Sequence, residues 1–343
     1  MVKSLLGIFR LSHWWGYIFP PILAIAYLMQ IFSEHDIKRF VLLLIPFCVS
    51  VIGTASYGFI VNDISDKKAD KLAGKNNIAS KFSNNKLSLL VIASIIVAVG
   101  PWFFLPVTVF AIALFTTQIV LLTFYSLPPF RIKNSVFFSV IVDALYSSLL
   151  PALIAMFIFG CDLHPDSNLV IVFTVLMISY FLRGLRNIML HQIADVDNDE
   201  KSGITTFVLK YGTHTSYNRL KLFVAMELLF LIGFIALLAT RIQHFWIIMP
   251  VTVLYYIIKV KSKYTRPKST VDYFLYLNDF YEDILPVVFL FLLSLINPWF
   301  IVLFIVHVVL FKNKMIWHMF IVWLYYKMFH NEYAKRFYRL FRK

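Results

Sequence analysis

The stretch Tyr57-Gly58-Phe59-Ile60-Val61-Asn62-Asp63-Ile64-Ser65-Asp66-Lys67-Lys68-Ala69-Asp70 closes an apolar run long enough to cross a bilayer and passes directly into acidic side chains. If one helix continues through it, Asn62, Asp66 and Asp70 stand at i, i+4 and i+8 on a single face, with Asp63 slightly to the side. Like charges so spaced repel by roughly 0.2–0.5 kcal/mol per pair in an isolated helix, so a helix that keeps them is expected to meet a cation. Taken alone, the pattern also fits a solvated helix end balanced by Lys67, Lys68 and Lys71.

Working outward, the 343 residues are 60% hydrophobic, 17% aromatic and only 15% charged. With a mean hydropathy of +0.77, this composition excludes a soluble globular protein. Apolar runs near the roughly 20 residues that cross the hydrocarbon core recur from end to end, and lipid offers the backbone no hydrogen-bond partner, so the runs are expected to be helices. They do not alternate, which excludes a β-barrel. The expected fold is all-α, a polytopic transmembrane bundle. Spans fall at about 14–32, 38–61, 87–104, 107–125, 136–160, 168–190, 220–240, 244–260, 280–296 and 299–312. The last two, split by Asn297-Pro298, are short enough to form one broken helix or a re-entrant pair, so the count is nine or ten. The first run starts at Trp14 and lacks a small-residue cleavage site, which reads as a retained span and not a signal peptide. Cys48 and Cys161 lie in or near different spans and suit neither a disulfide framework nor a metal site.

A formal charge of +14 raises nucleic acid as a partner, but that reading needs a basic face on a soluble domain. Here the charges sit in loops between spans, so no nucleic acid is expected. With a cytoplasmic N-terminus and ten spans, loops 62–86, 126–135, 191–219 and 261–279 and the C-terminal tail all face inward. Every Lys and Arg then lies inside or at the inner end of a span except Lys38, Arg39 and Arg241, as the positive-inside rule requires. The reading is a multi-pass protein of a bacterial-type cell membrane, with residues 1–312 as one transmembrane domain and no protein partner. Residues 313–343 mix Lys and Arg with Trp317, Trp323, Tyr325, Tyr326, Phe329, Phe337 and Phe341, the pattern of a helix lying in the interface.

The sixth span leads into a second acidic segment. There Asp195 and Asp199 are one turn apart and Gln192 precedes Asp195 by three residues, making another oxygen-rich face on the same side of the membrane. An EF-hand from Asp195 needs glycine at its sixth position and glutamate at its twelfth, where this chain has Glu200 and Thr206. Two carboxylate groups facing each other across a bundle suit Mg2+, which takes oxygen ligands and bridges carboxylates to phosphates. A diphosphate is the natural guest.

These residues resemble the UbiA superfamily of intramembrane prenyltransferases. Asn62–Asp70 has its NDxxDxxxD form, and the run from Asp195 through Gly203 to Gly212 resembles its second motif. Tyr125-Ser126-Leu127-Pro128-Pro129-Phe130-Arg131-Ile132-Lys133 looks like its YSxPPxRxK segment. The resemblance runs from about residue 5 to about residue 300. It implies about nine helices around a central cavity open to the cytoplasmic side, two Mg2+ ions, and transfer of a polyprenyl group from its diphosphate to an acceptor. It further implies that Asn62, Asp66, Asp70, Asp195 and Asp199 are metal or diphosphate ligands, with Asp63 beside them. Many members continue the first motif into Asn-Arg-Pro, where this chain reads Gly74-Lys75-Asn76-Asn77-Ile78-Ala79, so the acceptor stays open.

Breaking an allylic carbon-oxygen bond develops charge on both fragments. Cations must stabilise the leaving diphosphate; of Lys75, Arg131, Lys133, Arg183 and Arg186, the preferred candidates are Lys133 and Arg186, near the inner mouth. Tyr125 offers an aromatic face to the prenyl cation. Asp143, about two turns into the fifth span, is costly in lipid and should face a cavity, where it could bind the acceptor or take its proton. Asn278, Asp279, Glu282 and Asp283 read as a helix cap or interface group. The expected acceptor is small and aromatic, a quinone precursor; a lipid phosphate, a sugar phosphate or a tetrapyrrole is the alternative. A cation transporter needs carboxylates along a path to the far side, and a CDP-alcohol phosphotransferase needs a contiguous DGxxAR…GxxxDxxxD segment that is missing here.

Overall fold

The apolar runs fold as helices, and flanking side chains cap the N-termini of some of them. The structure, a computed structural model, describes residues 9, 11–33, 36–72, 74–106, 108–164, 166–243, 245–261, 270–311 and 316–317. It is all-α, with no strand among these residues. Two compact units divide the chain, residues 1–246 and 247–343.

The first unit holds α1 (Leu11–Phe32), α2 (Ile37–Leu72), α3 (Asn84–Val99), α4 (Val109–Ser126), α5 (Phe138–Phe159), α6 (Ser167–Ala194), the short α7 (Val196–Ser202) and α8 (Phe207–Ala239). Apart from α7, these helices mark the seven segments among the described residues that are long and apolar enough to cross a membrane. Thr108 caps α4 by accepting from the Ala111 N–H, and Asp166 caps α6 by accepting from Leu169 N–H at 2.7 Å. α2 packs along α3, α4 against α5, α5 against both α1 and α6, and α6 along α8. Large side chains such as Ile92, Ile96, Phe110, Leu229 and Ile232 stay exposed, as a lipid-facing surface needs.

Two features position the site. First, α2 has 36 residues, a rise of about 54 Å, so it outruns a hydrocarbon core of about 30 Å and carries its acidic end beyond it. Second, α8 starts at Phe207, well before the expected 220, with a break at Gly212, and runs back along α6. The two are tied by Arg186 and Glu227, both fully buried: Arg186 Nε donates to Glu227 Oε2 at 2.7 Å and Nη2 to Oε1 at 3.1 Å. Arg39 and Arg241, two of the three cations that the orientation rule left over, are paired at the α5–α6 loop with Asp162 and Asp166 at 2.5 and 2.6 Å.

The second unit contains α9 (Ile248–Lys261), α10 (Thr270–Leu275), α11 (Leu285–Ile296) and α12 (Phe300–Leu310), with the break between the last two at Asn297-Pro298. Asp279, Glu282 and Asp283 are all buried, and Asp279 stands at the N-cap of the turn Phe280–Ile284 without a side-chain capping hydrogen bond. Lys259 pairs with Asp279, which also accepts from the Tyr255 hydroxyl at 3.0 Å. The interfacial helix expected over 313–343 lies outside the described residues apart from 316–317.

Removing one partner of a buried ion pair leaves the other charge uncompensated, whereas replacing both with apolar residues does not. Glu227→Ala is therefore expected to cost about 3–5 kcal/mol, and Arg186→Met/Glu227→Leu to recover most of it, measured by chemical unfolding in detergent.

Candidate active site

A cavity of about 560 Å³ in the first unit is lined by residues of α1, α2 and α4–α7 and of the segments that connect the helices. Both acidic segments reach it. Asn62, Asp63, Asp66 and Asp70 come from the end of α2, Gln192 from α6, and Asp195 and Asp199 from the start of α7, so residues more than 120 positions apart share one wall.

Helix ends explain how. After Asp70 the chain turns at Gly74 (φ +71), a left-handed position that suits glycine, while Lys75 N–H donates to the Asp70 carbonyl at 2.8 Å. The reversed chain brings Asn77 back against α2, where its amide donates to Asp70 Oδ2 at 2.6 Å and to the Asp63 carbonyl at 2.8 Å. The same turn aims Lys75 across the cavity at Asp195, Nζ to Oδ2 3.3 Å. That ion pair joins the two segments directly. At the other side α7 ends at Gly203 (φ +66), whose N–H reaches the carbonyls of Asp199 and Glu200.

Lys133 follows α4 and is buried, its ammonium bonded to Asp66 Oδ1, to Ser65 Oγ at 2.8 Å and to Asn62 Oδ1 at 3.2 Å. Arg131 also reaches Asp66 Oδ1, at 3.3 Å, from a backbone with φ 37, a region uncommon for residues other than glycine. Burial lowers the pKa of Lys133, against the pull of Asp66. Burial also pushes the Asp199 carboxyl up, helped by the charges of Asp195 and Asp66. At Asp195 burial acts in the same sense but is outweighed by His191, Asn198 and Lys75, which hold it below the usual carboxylate range. Gln192 Oε1 is buried on this cavity with no hydrogen-bond partner.

Tyr125 lines the cavity, its ring edge-on to Tyr146 at 5.1 Å, and Asp143 lines it from α5. Arg186 does not: expected at the mouth, it is sealed against Glu227. The reason is that Arg186 faces α8, whose early start places Glu227 opposite it, and a buried guanidinium takes a carboxylate when one is offered. Arg183 likewise turns away, donating to the Tyr17 carbonyl at 3.2 Å. Three residues at the site had no role in the sequence reading or a lesser one. Lys75 ranked below Lys133; Asn77, which holds Asp70 without lining the cavity, had no local signal; His191, 3.8 Å from Asp195 Oδ2 through Nδ1, stands one turn before it, a spacing that was visible.

Residues 10–278 match the model of the UbiA prenyltransferase family, and the chain belongs to that family. A UbiA homologue from Archaeoglobus fulgidus bound to GPP and Mg2+ is 15% identical, with TM-score 0.62, over 85% of this chain and 99% of its own. A digeranylgeranylglyceryl phosphate synthase is 17% identical, with TM-score 0.53, over 84% and 96%. The apo UbiA homologue from Aeropyrum pernix K1 is 14% identical, with TM-score 0.55, over 82% and 98%. These likenesses are of fold. No curated protein matches the sequence.

The Lys75–Asp195 contact can be tested without any ligand. In a Cys48→Ala/Cys161→Ala background, Lys75→Cys and Asp195→Cys should be joined by a short bis-maleimide, read as a faster-migrating band. A pair that stays unlinked while each thiol labels singly would refute the convergence of the segments.

Proposed function

We propose that this protein is a magnesium-dependent intramembrane prenyltransferase that moves a polyprenyl group from its diphosphate to a small aromatic acceptor such as a quinone precursor. The observation that carries this reading is the meeting of Asp66, Asp70, Asp195 and Asp199 on one cavity. The donors suit a hard cation: carboxylate and amide oxygens, one of them the unpartnered Gln192 Oε1. At this wall five carboxylates (Asp63, Asp66, Asp70, Asp195 and Asp199) meet three cations (Lys75, Lys133 and Arg131), an excess of negative charge that a divalent ion would relieve. Asn62, Asp66, Asp70, Asp195 and Asp199 would hold the metal. When bound it would neutralise the diphosphate and make it a better leaving group. The A. fulgidus homologue with GPP and Mg2+ supports this choice of substrate and ion.

The chain's own groups supply the rest. Lys133 and Lys75 offer N–H donors where charge builds on the leaving phosphate, and burial of Lys133 strengthens that interaction. Arg131 and Lys133 together hold Asp66 in one orientation. Deeper walls from Phe47, Trp102, Phe115 and Ile154 are apolar, fit for an isoprenoid chain and for keeping water from an allylic cation. The Tyr125 ring can face that cation, and the aromatic lining suits an aromatic acceptor. The positive-inside pattern supports a cytoplasmic N-terminus and cytoplasmic aspartate segments.

With labelled prenyl diphosphate and purified protein, EDTA should stop diphosphate release and Mg2+ should restore it; turnover unchanged by EDTA would sink the mechanism. Asp66→Ala and Asp199→Ala should each lower the rate by on the order of 10²–10³ while the protein still inserts. Asn77→Ala, which frees Asp70, should raise the Mg2+ concentration needed for half-maximal rate by about 10–100-fold, with a smaller effect at saturating metal.

A further inference from the structure

Asp143 lines the same cavity but belongs to neither acidic segment. Its surroundings follow from a local fault in α5. Pro151 has no N–H to give, and its ring would crowd the Ser147 carbonyl in a regular helix. The helix widens into a π turn over Leu145–Leu149, and the Gln118 amide donates to the Tyr146 carbonyl at 3.1 Å. In this turn Tyr146 donates its hydroxyl to Asp143 Oδ2 at 2.5 Å and Ser147 donates to Oδ1 at 3.3 Å. The carboxylate is thus oriented, and its oxygens retain lone pairs toward the cavity.

The lysines that line the cavity are both engaged at the aspartate wall, Lys133 on Asp66 and Lys75 on Asp195, while His191 stands beside Asp195 and its charge also bears on Asp143. Arg183 and Arg186 do not line it. Among the described lining residues, an acceptor bearing a carboxylate would therefore meet Asp143 with no lysine or arginine left to balance it, whereas a hydroxyl would find an acceptor for its proton.

Resting on the prenyl-transfer reading, we propose that the wall of Asp143, Tyr146 and Ser147 is the acceptor subsite, that it takes an uncharged phenol, and that Asp143 receives the phenolic proton. As the allylic carbon-oxygen bond breaks, its electron pair leaves with the diphosphate. The ring carbon conjugated with the hydroxyl forms the new bond to the allylic carbon, and the O–H proton passes to Asp143, leaving a neutral dienone that tautomerises to the prenylated phenol. Asp143 is on this account a catalytic residue, and the site discriminates by charge.

The test uses the full chain in detergent with Mg2+ and labelled geranyl diphosphate, offered a phenol, its ring-carboxylated counterpart, and a primary alcohol. Binding of the labelled diphosphate is measured separately from product formation. The phenol should be prenylated at least about tenfold faster than the carboxylated ring. Asp143→Asn should bind the diphosphate within about twofold of wild type yet transfer about 10²–10⁴-fold more slowly, and Asp143→Glu should recover part of the rate. Equal rates for the charged and uncharged rings, a preference for the alcohol, or full transfer by Asp143→Asn overturns the acceptor assignment while leaving prenyl transfer intact. Failure of wild type to bind the diphosphate overturns both. If Asp143→Asn does not bind it, the wild-type preference between the two rings decides.

Discussion

Five carboxylates share the mouth of one cavity, and their mutual repulsion is the constraint that the surrounding structure answers. Neighbouring side chains hold three of them. Asp66 has Lys133 and Arg131, Asp70 has Asn77, and Asp195 has Lys75. Asp199 is left with its carboxyl pushed up by burial and by its neighbours, the mark of a site where negative charge exceeds its local balance. A water-filled surface would screen such a cluster; the rim of an apolar bundle does so far less, which is why cations are built in and why a divalent ion fits.

Holding polar groups inside an apolar bundle takes specific devices. The Arg186–Glu227 pair is joined by two parallel hydrogen bonds and ties α6, which carries Gln192, to α8. Two π turns, Leu145–Leu149 and Phe280–Ile284, each precede a proline by two residues, at Pro151 and Pro286. In both, the widened turn carries polar side chains: Tyr146 and Ser147 in one, Glu282 and Asp283 in the other. Proline here breaks the ladder where a function or a buried charge needs the side chains regrouped.

Much of this could be read from residue order alone. The apolar runs, their length and the spacing of Asn62, Asp66 and Asp70 follow from local chemistry, because a helix in lipid must satisfy its own backbone and its periodicity then assigns faces. Lys133 was legible through its place in the segment after α4, and His191 could have been, one turn ahead of Asp195. Arg186 was not, because a cation near the end of a span looks the same whether it faces a cavity or a neighbouring helix.

What the sequence by itself determined is an all-helical membrane protein with two acidic helix ends, since hydropathy and helical period depend only on near neighbours. Tertiary structure alone decided which side chains meet: Lys75 with Asp195, Asn77 with Asp70, Arg186 with Glu227 rather than with a phosphate. Those pairings join residues 7, 41 and 120 positions apart, and they arise from the turn at Gly74 and the packing of α8 on α6, neither of which any single helix encodes.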